Sequence, residues 1–152
     1  MRVGSLLVAC LLCVAADWAR AQQAGDAGVG VILGNPTGAT GKLWINDTQA
    51  VDVGAGLSTS LAMYGDYLWH DWKILPQPDQ GRLALYGGLG AQVRTLSDAE
   101  LGLRAVVGAS YWLPRDPVEV FVELVPVFRI TPGDTVGLDG GIGVRYYFLS
   151  AR

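Results

Sequence analysis

The chain has 152 residues, 11 Lys and Arg against 14 Asp and Glu, and a formal net charge of -3. Such a balance argues against a phosphate-binding surface and so against nucleic acid as a partner. A single histidine and two cysteines leave too few ligands for a multi-histidine metal site, and no cofactor is expected.

Residues 1–21 carry an early Arg2, an apolar run from Val3 to Ala16, and Ala19-Arg20-Ala21 ahead of Gln22. This is the pattern of a secretory signal peptide cleaved after Ala21. Cys10 and Cys13 leave with it, as do Arg2, Asp17 and Arg20, so nine basic and thirteen acidic residues remain. About 130 residues suffice for one domain, residues 22–152. Hydrophobic residues make up 51% of the chain, and mean hydropathy is +0.31. Yet no apolar run after Ala21 approaches the ~18 residues of a membrane helix.

The remaining apolar residues are dispersed in alternation, the mark of strands. Val29, Val31 and Leu33 share one face of the first, Ala27 to Leu33, before a turn at Asn35-Pro36-Thr37-Gly38. A short second strand runs from Gly41 to Ile45. In the third, Val51, Val53, Ala55 and Leu57 alternate with Asp52, Gly54 and Gly56. The fourth sets Leu61, Met63, Gly65, Tyr67 and Trp69 against Ala62, Tyr64, Asp66, Leu68 and His70.

The longest connection, Asp71 to Gly81, carries Pro76 and Pro78. In the fifth strand Leu83, Leu85, Leu89 and Val93 oppose Arg82, Tyr86, Gln92 and Arg94. In the sixth, Leu101, Leu103, Val107 and Tyr111 oppose Glu100, Arg104 and Ser110. The seventh alternates Val118, Val120, Val122 and Leu124 with Glu119, Phe121, Glu123 and Val125. Pro126, which lacks a ladder donor, predicts a β-bulge there. In the last strand Leu138, Ile142, Val144, Tyr146 and Phe148 face one way, and Asp139, Gly141, Gly143, Arg145 and Tyr147 the other.

About eight strands, apolar on one face and polar on the other, predict an all-β fold: an antiparallel, up-and-down transmembrane β-barrel. Hydrocarbon offers backbone groups no partner, so the sheet must close. Eight strands enclose a lumen that side chains can fill. An even count puts both chain ends on the periplasmic side, with the turns near Asn35 to Thr40, Thr59, Thr95 to Ala99 and Thr131 to Thr135 outside.

The chain resembles a family of small bacterial outer-membrane β-barrels of spirochaetes and some proteobacteria, largely of unknown function and akin to the eight-stranded OmpA/OmpX-type barrels. The residues carrying the resemblance are Gly30 to Gly38 leading to Gly41-Lys42-Leu43-Trp44, then Gly65 to His70, Val118 to Pro126, and Gly140 to Phe148. The last strand, with an aromatic residue almost at the C-terminus, resembles the signal by which the barrel-assembly machinery recognises such proteins. The resemblance implies the bacterial outer membrane, with membrane lipid and that machinery as partners.

Asp66, Arg82, Arg94, Arg104, Glu119, Glu123, Arg129 and Arg145 fall on inward faces. Buried charges are tolerated when paired, so Arg104, Glu123 and Arg145 are expected to form one network across the lumen, with Asp66 as a further member. Trp44, Tyr67, Trp69, Trp72, Tyr111, Trp112, Tyr146 and Phe148 lie near strand ends or on outward faces and are expected to form an interfacial girdle. Gly38-Ala39-Thr40-Gly41-Lys42 is not a phosphate loop, because Pro36 takes the first glycine position and Leu43 the hydroxyl position. His70, Ser110 and a carboxylate could in principle build a hydrolase, but no spacing unites them. The expected role is structural and non-enzymatic. The alternatives are a surface adhesin or ligand-binding barrel, a narrow ion-conducting pore, and a soluble periplasmic β-domain.

Overall fold

The computed structural model describes residues 23–95 and 98–148. The expected signal peptide and the tail from Leu149 lie outside the described residues. Eight strands follow in order: β1 (Ala27–Asn35), β2 (Thr37–Trp44), β3 (Gln49–Leu57), β4 (Leu61–Asp71), β5 (Arg82–Thr95), β6 (Ala99–Trp112), β7 (Val118–Thr131) and β8 (Thr135–Phe148). Each pairs antiparallel with its neighbours, and β8 closes on β1 through Ala27↔Phe148 to Asn35↔Gly140. The architecture is a closed eight-stranded barrel in which every strand pairs on both sides over most of its length.

The polarity is inverted relative to a soluble domain. Val31, Val53, Met63, Leu89, Val107, Leu124, Leu138 and Ile142 are exposed, whereas Asp52, Asp66, Arg104, Glu119, Glu123 and Arg145 are buried. Along the outward positions of the described strands, the charged residue is Asp71, at the foot of β4. Period-two alternation alone produces this, because every odd step of a pleated strand reverses the side chain.

Two expectations about strands need correction. The second strand begins at Thr37, not Gly41, because a barrel wall needs backbone pairing on both sides; β2 meets β1 up to Ile32↔Gly38 and β3 up to Thr37↔Leu57. Pro126 makes no bulge. Its pairing to β8, Pro126↔Leu138, is intact, and β7 holds one register against β6 from Val107↔Leu124 to Arg104↔Val127. The pairs at Pro126 and Val125 are simply missing on the β6 side, where the absent N–H would point. The register shift falls higher, between Leu101 and Gly102 of β6, opposite Arg129 to Thr131.

The lumen is narrow enough that large rings need an empty position beside them. Tyr147 is paired with Gly28, Tyr64 with Gly54, Tyr86 with Gly108, and Phe121 with Gly143. A Cβ on each of these glycines would collide with the partner's ring. These are cross-strand pairs in which an aromatic side chain covers a glycine.

Gly108→Val therefore displaces Tyr86 and should cost about 1–3 kcal/mol by urea titration in detergent. Gly41→Ala, whose methyl meets nothing closer than 3.6 Å, should stay within about 0.5 kcal/mol. Equal losses for the two would rule out the packing role of Gly108.

Candidate functional site: the paired charges of the lumen

The centre of the lumen is organised by Arg145 on β8, which is 0% exposed. It donates from Nη2 to Asp52 Oδ2 (3.0 Å) on β3 and to Thr40 Oγ1 (2.8 Å) on β2, and from Nη1 to Glu119 Oε2 (3.3 Å) on β7. The same Glu119 accepts from Tyr147 Oη (2.6 Å) and from Lys42 Nζ (2.9 Å). Lys42 Nζ also lies 2.8 Å from His70 Nε2, and His70 Nδ1 lies 3.3 Å from the Thr48 carbonyl.

A second pair lies on the adjoining wall. Arg104 donates from Nε to Asp66 (2.9 Å) and from Nη1 to Gln92 (2.9 Å). Asp52 and Asp66 face each other directly across β3 and β4, and each is also tied to a different arginine. Nearer the end away from the chain termini, Arg94 donates to Asp139 (2.6 Å), and Asn35 Nδ2 donates to the other oxygen of that carboxylate. Aromatic faces complete the cation sites. The Arg145 guanidinium carbon lies 3.9 Å from the Phe121 ring centroid and that of Arg104 4.1 Å from Tyr64.

The four residues expected in the network, Asp66, Arg104, Glu123 and Arg145, are all buried, as is Glu119, and Glu123 lies within reach of the charges of both arginines; what differs is which carboxylate each arginine bonds directly. The expected partner of Arg104 and Arg145, Glu123, accepts instead from Tyr86 Oη (2.9 Å). Register is the reason: Glu123 stands opposite Gly108 and Gly141, while Arg145 stands opposite Glu119 and Arg104 opposite Val127. Lys42, Thr40, Asp52 and Asp139 belong to the site and were missed. Their signal was present, since each alternates with outward apolar residues along its strand. Arg129 reaches Glu100 at the rim (2.8 Å), and Arg82 is exposed with its guanidinium over Trp72.

The aromatic expectation divides in two. Tyr67, Trp69, Tyr111, Tyr146 and Phe148 face outward near the end that holds the chain termini. Trp44 and Trp112 do not: both are buried and pack with Ala50 and Tyr147, with Trp72 against them, as a floor to the lumen. Each lies two residues beyond an inward polar side chain, Lys42 and Ser110, and alternation carries it inward. His70 contacts Lys42, Trp44 and Tyr86, while Ser110 Oγ makes no hydrogen bond, so the two do not form a nucleophile–base pair.

A closed antiparallel barrel with apolar exterior and paired charges within defines the class: an eight-stranded barrel of the OmpA-like architecture. Among solved structures the chain is similar to the N-terminal β-barrel domain of Pseudomonas aeruginosa OprF, with a TM-score of 0.59 and 15% sequence identity, over 84% of this chain and 100% of that one. No family model and no curated protein matches the chain.

Arg145→Met leaves Asp52 without its cation and Glu119 with Lys42 alone, and should cost roughly 3–5 kcal/mol. Arg129→Met, at a partly exposed rim pair, should cost less than about 1 kcal/mol. Urea titration of both variants checks the order; a loss at Arg145 no larger than at Arg129 removes it from the centre of the network.

Proposed function

We propose that the chain is an integral outer-membrane β-barrel with a structural role in the cell envelope and a lumen plugged by its own side chains. The observation that carries this is the segregation of charge: the apolar exterior suits lipid, and the buried ions find partners inside. The OprF-like architecture supports the same reading. Membrane lipid is then the principal partner, the last strand addresses the chain to the assembly machinery, and residues 1–21 direct export.

Arg145, Glu119 and Lys42 fill the lumen above a floor closed by Trp44, Trp112, Tyr147 and Trp72, which favours a plug over a pore. With both chain ends in the periplasm, the outward turns among the described residues are short: Pro36 alone, then residues 58–60 and 132–134. Such turns offer little surface to a ligand, whereas the longest connection, residues 72–81, lies on the periplasmic side.

Unheated protein from isolated outer membranes should migrate as a compact band in detergent gels and shift on boiling, and in planar bilayers it should give no conductance steps. Recovery in the soluble periplasmic fraction with no shift would overturn the membrane reading. A shift accompanied by discrete steps would replace the plug by the narrow pore.

A further inference from the structure

The wall of the barrel has two heights. β1, β2 and β3 have 9, 8 and 9 residues, whereas β5 to β8 have 14 each. Paired residues shift along the axis from strand to strand as the tilt requires, and with that stagger allowed for the strands end nearly level at the foot, near Ala27, Trp44, Gln49 and Phe148. The difference therefore accumulates at the far rim. β8 leaves β1 behind at Asn35↔Gly140, and Thr135 to Asp139 continue upward paired to β7 alone.

At ~3.3 Å per residue and a tilt of 35–45°, each residue adds about 2.5 Å along the axis. The low side is then about 20 Å tall and the high side about 35 Å, against a hydrocarbon core of ~30 Å.

The outward face is apolar to the top on both sides. On the high side Phe128, Ile130, Val136 (71% exposed) and Leu138 (66%) continue the belt; on the low side it stops at Leu33 and Leu57. A flat bilayer matched to the low side would leave that upper apolar surface in water, where patches of this kind seek a covering. One matched to the high side would drown the backbone groups of the β1–β2 turn in hydrocarbon. We propose that the barrel holds the bilayer at two thicknesses, close to normal along β5 to β8 and thinned along β1 to β3. Its lipid partner on the low side is a shell of shortened or disordered acyl chains. Such local deformation is the ordinary response to hydrophobic mismatch. The inference rests on the membrane reading above and specifies the lipid surface that reading requires.

The test places single cysteines at Leu33 and Val136, near the two rims, and at Ile45 and Leu83, near the foot, in the full chain with Cys10→Ala and Cys13→Ala. Each is labelled with bimane in phosphatidylcholine vesicles carrying bromines at known acyl depths, with iodide as the aqueous quencher. Leu33 and Val136 differ by about 10 Å along the axis. Equal shallow depths for these two, with equal depths for Ile45 and Leu83, are expected. Iodide quenching of Val136 as from bulk water, or deep burial of Leu33, would mean a flat bilayer and overturn the proposal. Unequal depths at the foot would mean that the barrel tilts as a rigid body, which overturns it equally. Absence of bromine quenching at every position, together with no heat shift, would instead defeat the membrane reading itself.

Discussion

Arg145 is the constraint around which the lumen is built. A guanidinium cannot shed its charge, and taking one out of water is costly unless opposite charge and acceptors surround it. Here they come from three other strands: Glu119 from β7, Asp52 from β3 and Thr40 from β2. Those strands lie on different parts of the wall, so the arrangement exists only when the barrel is closed. The ion pairs report closure more than they contribute net stability, because buried pairs often only break even against apolar packing. What they supply is register. Slipping β8 by one residue against β7 would turn Arg145 to the outer face and Tyr146 inward.

Size is the second half of the same problem. An eight-stranded lumen has room for side chains and little else, yet this one holds Trp44, Tyr64, Tyr86, Trp112, Phe121 and Tyr147 together with its ions. The four ring-and-glycine pairs reconcile the two demands by emptying the position directly across the ladder from each ring. The rings that this fixes in turn serve the charges: Phe121 lies against Arg145, Tyr64 against Arg104, and Tyr86 and Tyr147 donate to Glu123 and Glu119. Glycine, aromatic and ion are thus one packing unit repeated around the wall.

This logic separates what the sequence discloses from what it conceals. Alternation places a residue on a face with no knowledge of its neighbours, which is why the number of strands and the inward position of Asp66, Arg104, Glu119, Glu123 and Arg145 are legible. Partnership depends on how far one strand slides past the next, and a turn length read to within a residue or two does not settle that. Glu123 was a plausible partner for Arg104 on adjacency alone, and the register gives the role to Asp66. Trp44 and Trp112 are a different failure: their parity was legible from Lys42 and Ser110, but proximity to strand ends suggested the interface. Pro126 misled because a missing N–H need not bend the strand when the lost bond falls on one side only and the other ladder, to Leu138, is kept.

The two-height wall is set by strand length and not by the tilt that closes the barrel. A line of paired residues starting at Asn35, at the top of β1, passes through Gly140, Leu124, Val107, Gly87 and Trp69 and arrives at Gln49, the foot of β3. That offset is the stagger every tilted barrel requires and is compatible with a level rim; the rim here is uneven because β1 to β3 are shorter than β5 to β8. Turning β1 into β2 at Pro36 ends the low side early, while β5 to β8 run on through apolar residues that have no function in water. The extra length is apolar on its outer face, at Phe128, Ile130, Val136 and Leu138, and so continues the exposed apolar band of the lower wall.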